Sequence, residues 1–93
     1  HKALNRAAHL SFTIYVNFPL VHTSLPVLLT AYSVDPQELV LAVKYRLEAE
    51  VGIPAHQQRL VYKGRSLADY NTLEHYNIRE SDLIHMVTAL IGG

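Results

Sequence analysis

The sequence predicts a single α+β domain, in which one helix lies across one face of a mixed β-sheet. Two β-prone runs come first, a helical period follows them, and two shorter β-prone runs close the chain. Ninety-three residues suit one small domain, and a hydrophobic content of 49% is enough for one core. We expect an N-terminal extension or linker at residues 1–10, the domain at residues 11–90, and a flexible tail at residues 91–93.

Alternating residues predict the first two strands. Residues 12–18 are rich in β-branched and aromatic side chains and end at Pro19. Alternate members of this strand share one face: Phe12, Ile14 and Val16. The β-prone pattern resumes at residues 27–34, so a hairpin with a long loop is predicted.

The helix is predicted from its boundaries and its apolar stripe. Asp35 is the expected N-cap, Pro36 fits the first helical position, and Glu38 completes a capping box. Gly52 supplies the left-handed residue that ends a helix, and Pro54 prevents its continuation. The stripe that faces the core comprises Val40, Val43 and Leu47. Two leucines fit this stripe poorly and are expected to be partly exposed: Leu39 and Leu41.

A third strand is predicted after the helix, at residues 59–63. Leu60 and Tyr62 share one face of this strand, and Val61 lies on the other. Gly64 tolerates a positive φ in the turn that follows.

The last third of the chain predicts a short helical turn and a final strand. Within residues 69–78, buried Tyr76 would need a hydrogen-bond partner, and Asn77 can adopt a left-handed conformation. Residues 83–87 form the strand, with two residues directed outward, His85 and Val87, and two inward, Ile84 and Met86. The first and last strands are natural central neighbours, so the order of elements predicts the β-grasp arrangement: a mixed sheet of four to five strands with one main helix.

Composition excludes several classes of function. Eight basic and eight acidic residues cancel, so no overall field draws the chain to nucleic acid or membrane lipid. The chain has no cysteine, and its six histidines lack the spacing of a closed metal site. No nucleophile elbow or phosphate loop is present. We therefore expect a monomer that is no enzyme, needs no cofactor or metal, and binds proteins.

Eight short motifs lie beyond the first hairpin: Val34-Asp35-Pro36, Gly52-Ile53-Pro54, Gln57-Gln58-Arg59-Leu60, Lys63-Gly64, Thr72-Leu73, Tyr76-Asn77-Ile78, His85-Met86-Val87 and Gly92-Gly93. These motifs resemble signature positions of ubiquitin, and the chain is identified as similar to ubiquitin-like proteins. The match covers residues 34–93 without insertion or deletion, whereas residues 11–33 match only as a strand pair.

The resemblance implies a docking face on the outer side of the sheet. The matching positions are Val61, His85 and Val87, with Arg59, Gly64 and Arg65 nearby. The fourth member of the ubiquitin patch lies in the first hairpin loop, where Leu20 or Val21 are the candidates here.

The resemblance also implies a reactive tail, with conjugation through Gly93 after Gly92. Side-chain-free residues can thread a narrow channel whose walls would collide with a Cβ. Ubiquitin has basic residues at the positions of Ala89 and Ile91, and an alanine at the first resembles its cullin-modifying relative. We expect these two positions to set the specificity of the activating enzyme.

Two functions therefore compete, both without catalysis. The first is a modifier attached through Gly93, whose partners are activating and conjugating enzymes, ubiquitin-binding domains and proteasome-linked factors in the cytoplasm or nucleus. The alternative is an integral ubiquitin-like docking domain of a longer protein. A third class, a sulfur carrier with a diglycine end, is disfavoured by Gln57-Gln58-Arg59-Leu60 and Tyr76-Asn77-Ile78. Because Arg65 and Glu80 replace the two acceptor lysines most used in ubiquitin, homopolymer chains are not expected.

Overall fold

The computed structural model describes residues 10–19 and 27–88, which form one helix packed on a five-stranded mixed sheet. The strands are β1 (Phe12–Pro19), β2 (Val27–Val34), β3 (Gln58–Tyr62), β4 (Arg65–Ser66) and β5 (Leu83–Thr88). The helix α1 spans Val40–Val51, and two short 3₁₀ turns span Ala55–Gln57 and Glu74–Tyr76. The predicted α+β class is confirmed.

The strand order is β2-β1-β5-β3-β4, so the first and last strands are neighbours at the centre of the sheet. β1 and β5 run parallel, while the β1–β2 and β3–β5 pairs are antiparallel. A parallel pair needs a long crossover connection, and this one contains the helix. The β-grasp arrangement predicted from the order of elements is therefore confirmed.

The core lies between α1 and one face of the sheet, and the predicted inward residues fill it. The helix contributes Val40, Val43 and Leu47, and the strands contribute Ile14, Val16, Leu60, Ile84 and Met86, all of them fully buried. Each such side chain contributes about 1.5–3 kcal/mol through burial. Because the inward residues alternate with outward ones, burying this face fixes which side chains the opposite face presents.

The start of the helix differs from the prediction, because Val40 rather than Pro36 is the first helical residue. The predicted capping contacts do form, but they stabilise a turn before the helix. Asp35 Oδ1 accepts the N–H of Gln37 at 2.8 Å, and Glu38 Oε1 accepts the N–H of Asp35 at 3.3 Å. The prediction of Asp35 as the N-cap is therefore wrong.

Distant residues set the observed helix start. Leu39, the N-cap, has an extended backbone (φ −77°, ψ 149°) and forms an isolated bridge with Thr72. The first helical N–H groups then bond to the loop after β4: Val40 N–H donates to Asn71 O at 3.0 Å, and Leu41 N–H donates to Asp69 O at 3.0 Å. These bonds satisfy donors that a helix end leaves unpaired, and they join the helix to that loop.

The predicted left-handed residues are confirmed. Gly52 has φ 82° and donates its N–H to Glu48 O, Gly64 has φ 80°, and Asn77 has φ 59°. The hydroxyl of Tyr76 also finds the required partners, because it accepts hydrogen bonds from the backbone N–H of Ala68 and from Asn71. The 3₁₀ turn Ala55–Gln57 and the short strand β4 were not predicted.

Candidate functional site

The structure brings the three predicted docking residues together on the outer face of the sheet, opposite α1. In the antiparallel β3–β5 pair, Val61 lies opposite His85 and Arg59 lies opposite Val87. His85 and Arg59 are exposed, Val87 is 38% exposed and Val61 is half-buried. Val61, His85 and Val87, here called the sheet patch, therefore form a contiguous surface on two rigid strands.

A basic hairpin borders the sheet patch. The two-residue turn between β3 and β4 consists of Lys63 and Gly64, both with positive φ. The guanidinium of Arg65 lies 5.2 Å from the centre of the Tyr76 ring, which holds this charge at the end of the hairpin. Arg59 shares the outer face with the patch, and the exposed hairpin residues Lys63 and Arg65 add positive charge at the edge of the sheet. This cationic rim favours partners with acidic residues around an apolar centre.

The outer face carries exposed apolar side chains beyond the three predicted residues. From His85 the strand register continues through Asn17 of β1 to Leu29 of β2. A second row joins Leu83, Tyr15 and Ala31. Leu29 is 58% exposed and Leu83 is 42% exposed.

These two leucines were missed for different reasons. Leu83 has the same parity as His85 and Val87, so strand alternation could have placed it on the outer face. Leu29 follows another leucine, so its own strand gives no alternation there, and only pairing with β1 determines its face. Leu29 thus lies at the hairpin side of the outer face, where Leu20 or Val21 were expected.

The other predicted site residues lie outside the described residues. They are Leu20, Val21, Ala89, Ile91, Gly92 and Gly93. The replacement for the fourth patch residue and the reactive tail therefore remain predictions.

A polar pair fixes the end of β3 against the segment before β5. Tyr62 donates its hydroxyl to Asp82 Oδ2 at 2.5 Å, and the Arg79 N–H donates to the same oxygen at 2.8 Å. Burial, the hydrogen bond and the negative charge of Asp82 raise the pKa of Tyr62 to about 12. Burial opposes the ionisation of Asp82, but these two hydrogen bonds and the charges of Lys63 and Arg79 hold its pKa below the ordinary value.

The outer face has features of a binding surface. Within residues 10–19 and 27–88, no group of three or more His, Asp or Glu side chains could hold a metal ion. No helix in this part of the chain is long and apolar enough to cross a membrane. The face instead offers aliphatic side chains, one imidazole and a cationic rim, which are suited to contacts with another protein.

Comparisons with known proteins agree with the fold. The Ubiquitin family model matches residues 21–91. Ubiquitin-like protein 1 of Schizosaccharomyces pombe is 42% identical over 60 residues, which are 64% of this chain and 77% of that protein. NEDD8-like protein RUB3 of Arabidopsis thaliana is 40% identical over 60 residues, with the same two shares. Ubiquitin domain-containing protein DSK2 of Saccharomyces cerevisiae is 38% identical over 57 residues, which are 61% of this chain but 15% of that protein.

Proposed function

Because the chain belongs to the ubiquitin family, we propose that it is a ubiquitin-like modifier, attached to other proteins through Gly93 and recognised through the sheet patch. The observation that carries recognition is the β3–β5 register, which presents Val61, His85 and Val87 together. Attachment is supported by the Gly92-Gly93 pair and by similarity to relatives of which the match covers 77%. In this role the chain is a substrate of enzymes and has no catalytic role of its own.

Recognition through the sheet patch is weak and reversible. A few aliphatic side chains on rigid strands bury apolar area against a partner at about 25 cal/mol per Å². Small interfaces of this kind suit transient contacts. The partners are ubiquitin-binding domains and the activating and conjugating enzymes, and the cationic rim selects those that carry acidic residues beside an apolar surface.

The tail determines which activating enzyme accepts the chain. At Ala89 and Ile91 it has no positive charge to offer. An activating enzyme with an acidic side chain that pairs with a cation at this position cannot form that ion pair with Ile91. Its carboxylate is then left unpaired, at a cost on the order of 1–3 kcal/mol. We therefore expect an activating enzyme adapted to an uncharged tail.

A location in the cytoplasm or nucleus is proposed as well, because a chain without cysteine fits the reducing conditions there.

The second candidate function is an integral docking domain that is never attached to another protein. It is favoured by the similarity to Ubiquitin domain-containing protein DSK2, in which the matching segment is a minor part of a longer chain. This function uses the same sheet patch but not the diglycine pair. The natural sequence at and beyond Gly93 discriminates between the two, because a modifier stops or is cleaved there, whereas a docking domain continues into an unrelated segment.

An activation assay tests the proposal directly. The purified chain is incubated with ATP and cell extract, and the products are separated with and without a thiol reductant. We expect a reductant-sensitive thioester adduct and, later, reductant-resistant conjugates. Both disappear when ATP is withheld or when Gly93 is deleted.

Two control results separate the candidates. If adducts form equally with the Gly93-deleted chain, they do not arise from the tail, and the modifier proposal is wrong. If no adduct forms while the intact chain still binds ubiquitin-binding domains, the docking function replaces it. The variant Ile91→Arg tests the specificity of activation, because restoring a cation should increase adduct formation with a ubiquitin-activating enzyme.

A further inference from the structure

A second surface lies away from the sheet patch, on the helix side of the molecule. A groove of about 400 Å³ runs between α1 and the loops that follow it and β4. Its walls include Leu41, Tyr45, Glu48, His56, Asp69 and Tyr70, here called the tyrosine groove. Tyr70 is 78% exposed and Tyr45 is 57% exposed, so two large aromatic rings face solvent beside the same concave surface.

The walls of the tyrosine groove are joined to each other by backbone hydrogen bonds. Leu41 N–H donates to Asp69 O at 3.0 Å, and Val40 N–H donates to Asn71 O at 3.0 Å. These bonds bracket Tyr70 on both sides and connect its loop to the first turn of the helix that carries Tyr45. A ligand would therefore meet a surface whose two walls are already held together, with little ordering of the backbone required.

Two carboxylates supply the charge of the groove. Asp69 Oδ1 is paired with the ammonium of Lys44 at 2.6 Å, and Glu48 Oε1 accepts the Ala55 N–H at 3.4 Å. Among the described residues, the second oxygen of each carboxylate has no hydrogen-bond donor. The groove thus combines aromatic faces with acceptor oxygens, and the buried ammonium of Lys44 compensates only one of the two negative charges.

An arginine side chain matches this combination. Its guanidinium is planar, stacks on aromatic rings, and donates hydrogen bonds in a fork that fits carboxylate oxygens. A lysine ammonium offers the charge without the stacking plane, and an acidic or purely apolar side chain offers neither the charge nor the donors. We propose that the tyrosine groove binds an arginine side chain of a partner protein.

This site is independent of the sheet patch and of attachment through Gly93. None of its residues belongs to a strand, because they lie on α1, on the turn after it and on the loop after β4. The core separates the helix from the outer face of the sheet. One partner can therefore occupy the groove while another occupies the sheet patch.

A peptide titration tests the proposal with defined probes. The ¹⁵N-labelled full chain is titrated with acetyl-Gly-Gly-Arg-Gly-Gly-amide, and amide shifts are followed residue by residue. We expect shifts centred on Leu41, Tyr45 and Tyr70, weaker binding of the peptide with lysine in place of arginine, and no binding of the peptide with glutamate. Shifts centred on the sheet patch, or equal shifts with the glutamate peptide, would overturn the proposal.

Matched variants separate a specific site from general attraction between charges. Glu48→Gln should weaken binding of the arginine peptide about two- to fivefold, which is the effect expected for loss of an exposed ion pair. Glu50→Gln removes the same charge from the same helix outside the groove, and should leave affinity unchanged. If both variants weaken binding equally, the attraction is non-specific and the groove is not the site.

The ring of Tyr70 provides a second, independent readout. Tyr70→Ala should weaken the peptide about two- to fivefold by removing an exposed cation–π contact, whereas Tyr70→Phe keeps the aromatic face and should bind as the parent chain does. Because Tyr70 is exposed, both variants should keep the parent amide spectrum elsewhere. Equal loss in the alanine and phenylalanine variants would show that the ring face is not the binding element.

Discussion

At the scale of single residues, Leu60 and Val61 are neighbours in sequence with opposite environments. Leu60 is fully buried against the helix, whereas Val61 is half-buried on the outer face. We expect Val61→Asp to remain folded and to lose binding to ubiquitin-binding domains, because it places a charge at the centre of the apolar patch. Binding titrations and thermal unfolding followed by circular dichroism measure the two effects.

The matched control for this prediction is Leu60→Ala. Removing a fully buried leucine should lower the free energy of unfolding by about 2–5 kcal/mol. If Val61→Asp loses as much stability as Leu60→Ala, or unfolds, then Val61 belongs to the core and the sheet patch is misassigned. The milder variant Val61→Ala then decides, because it should weaken binding while the melting curve stays close to that of the parent chain.

Tyr62 is expected to contribute to the free energy of unfolding, and this contribution should be lost at alkaline pH. Its pKa is about 12 in the folded chain against 10.0 ordinarily, so folding favours the protonated phenol. This contribution is complete below pH 10 and is lost as the pH rises from 10 to 12. Urea unfolding should therefore show Tyr62→Phe less stable than the parent chain by about 1.5–3 kcal/mol at pH 7, the range for a hydrogen bond to a charged group.

The difference between these two proteins should shrink as the pH rises from 10 to 12. Tyr32 is present in both, and burial together with its hydrogen bond to Glu50 also raises its pKa, so its alkaline titration cancels in the comparison. A difference that stayed constant up to pH 12 would mean that the pKa of Tyr62 is not raised by folding.

At the scale of elements, Gly52 ends α1 with a φ of 82°. A Cβ at this position meets nothing within 4 Å, so the expected penalty is backbone strain alone. We predict that Gly52→Ala lowers the free energy of unfolding by about 1–2 kcal/mol, the cost of a left-handed conformation for an L-residue. Gly52→Asn should lower the free energy of unfolding by less, because asparagine tolerates the left-handed conformation. Urea denaturation compares the three chains, and equal losses in both variants would point to a cause other than φ.

The interior of each element could be predicted from sequence, because burial there follows the local period. The helical stripe Val40, Val43 and Leu47 and the alternation along β5 appear in the structure as expected. The start of the helix could not be predicted from sequence, because the carbonyl groups of Asp69 and Asn71 determine it. No local sequence pattern reveals hydrogen-bond partners so distant along the chain.

In the candidate site too, local features could be predicted from sequence and long-range features could not. Parity within β3 and β5 was enough to direct Val61, His85 and Val87 away from the core, and the resemblance to ubiquitin grouped them as one docking face. The contribution of Leu29 depends on the register between β2 and β1 and on the order of strands across the sheet. Such non-local pairing is set by the whole hairpin, so sequence reasoning reached the centre of the outer face and missed its far edge.

At the scale of the whole molecule, zero net charge conceals an uneven distribution. Arg59 lies beside the sheet patch on the outer face, and Lys63 and Arg65 lie in the hairpin at the edge of the sheet, whereas Glu48 and Asp69 line the tyrosine groove on the helix side. If both proposed sites are used, the protein presents opposite charge to two kinds of partner without a net field that would attract either non-specifically. A small domain can connect two proteins in this way while its core remains unchanged.

The proposed domain boundaries lead to a prediction for truncated chains. All fully buried side chains among the described residues lie between Ile14 and Met86. A chain of residues 11–90 should therefore unfold in urea within about 0.5 kcal/mol of the full chain, as changes outside a packed core usually do. It should also fail to form adducts in the activation assay, because it lacks Gly93. A matched chain of residues 11–93 should match it in stability and regain adduct formation. A clear loss of stability in both truncated chains would instead show that residues 1–10 pack against the domain.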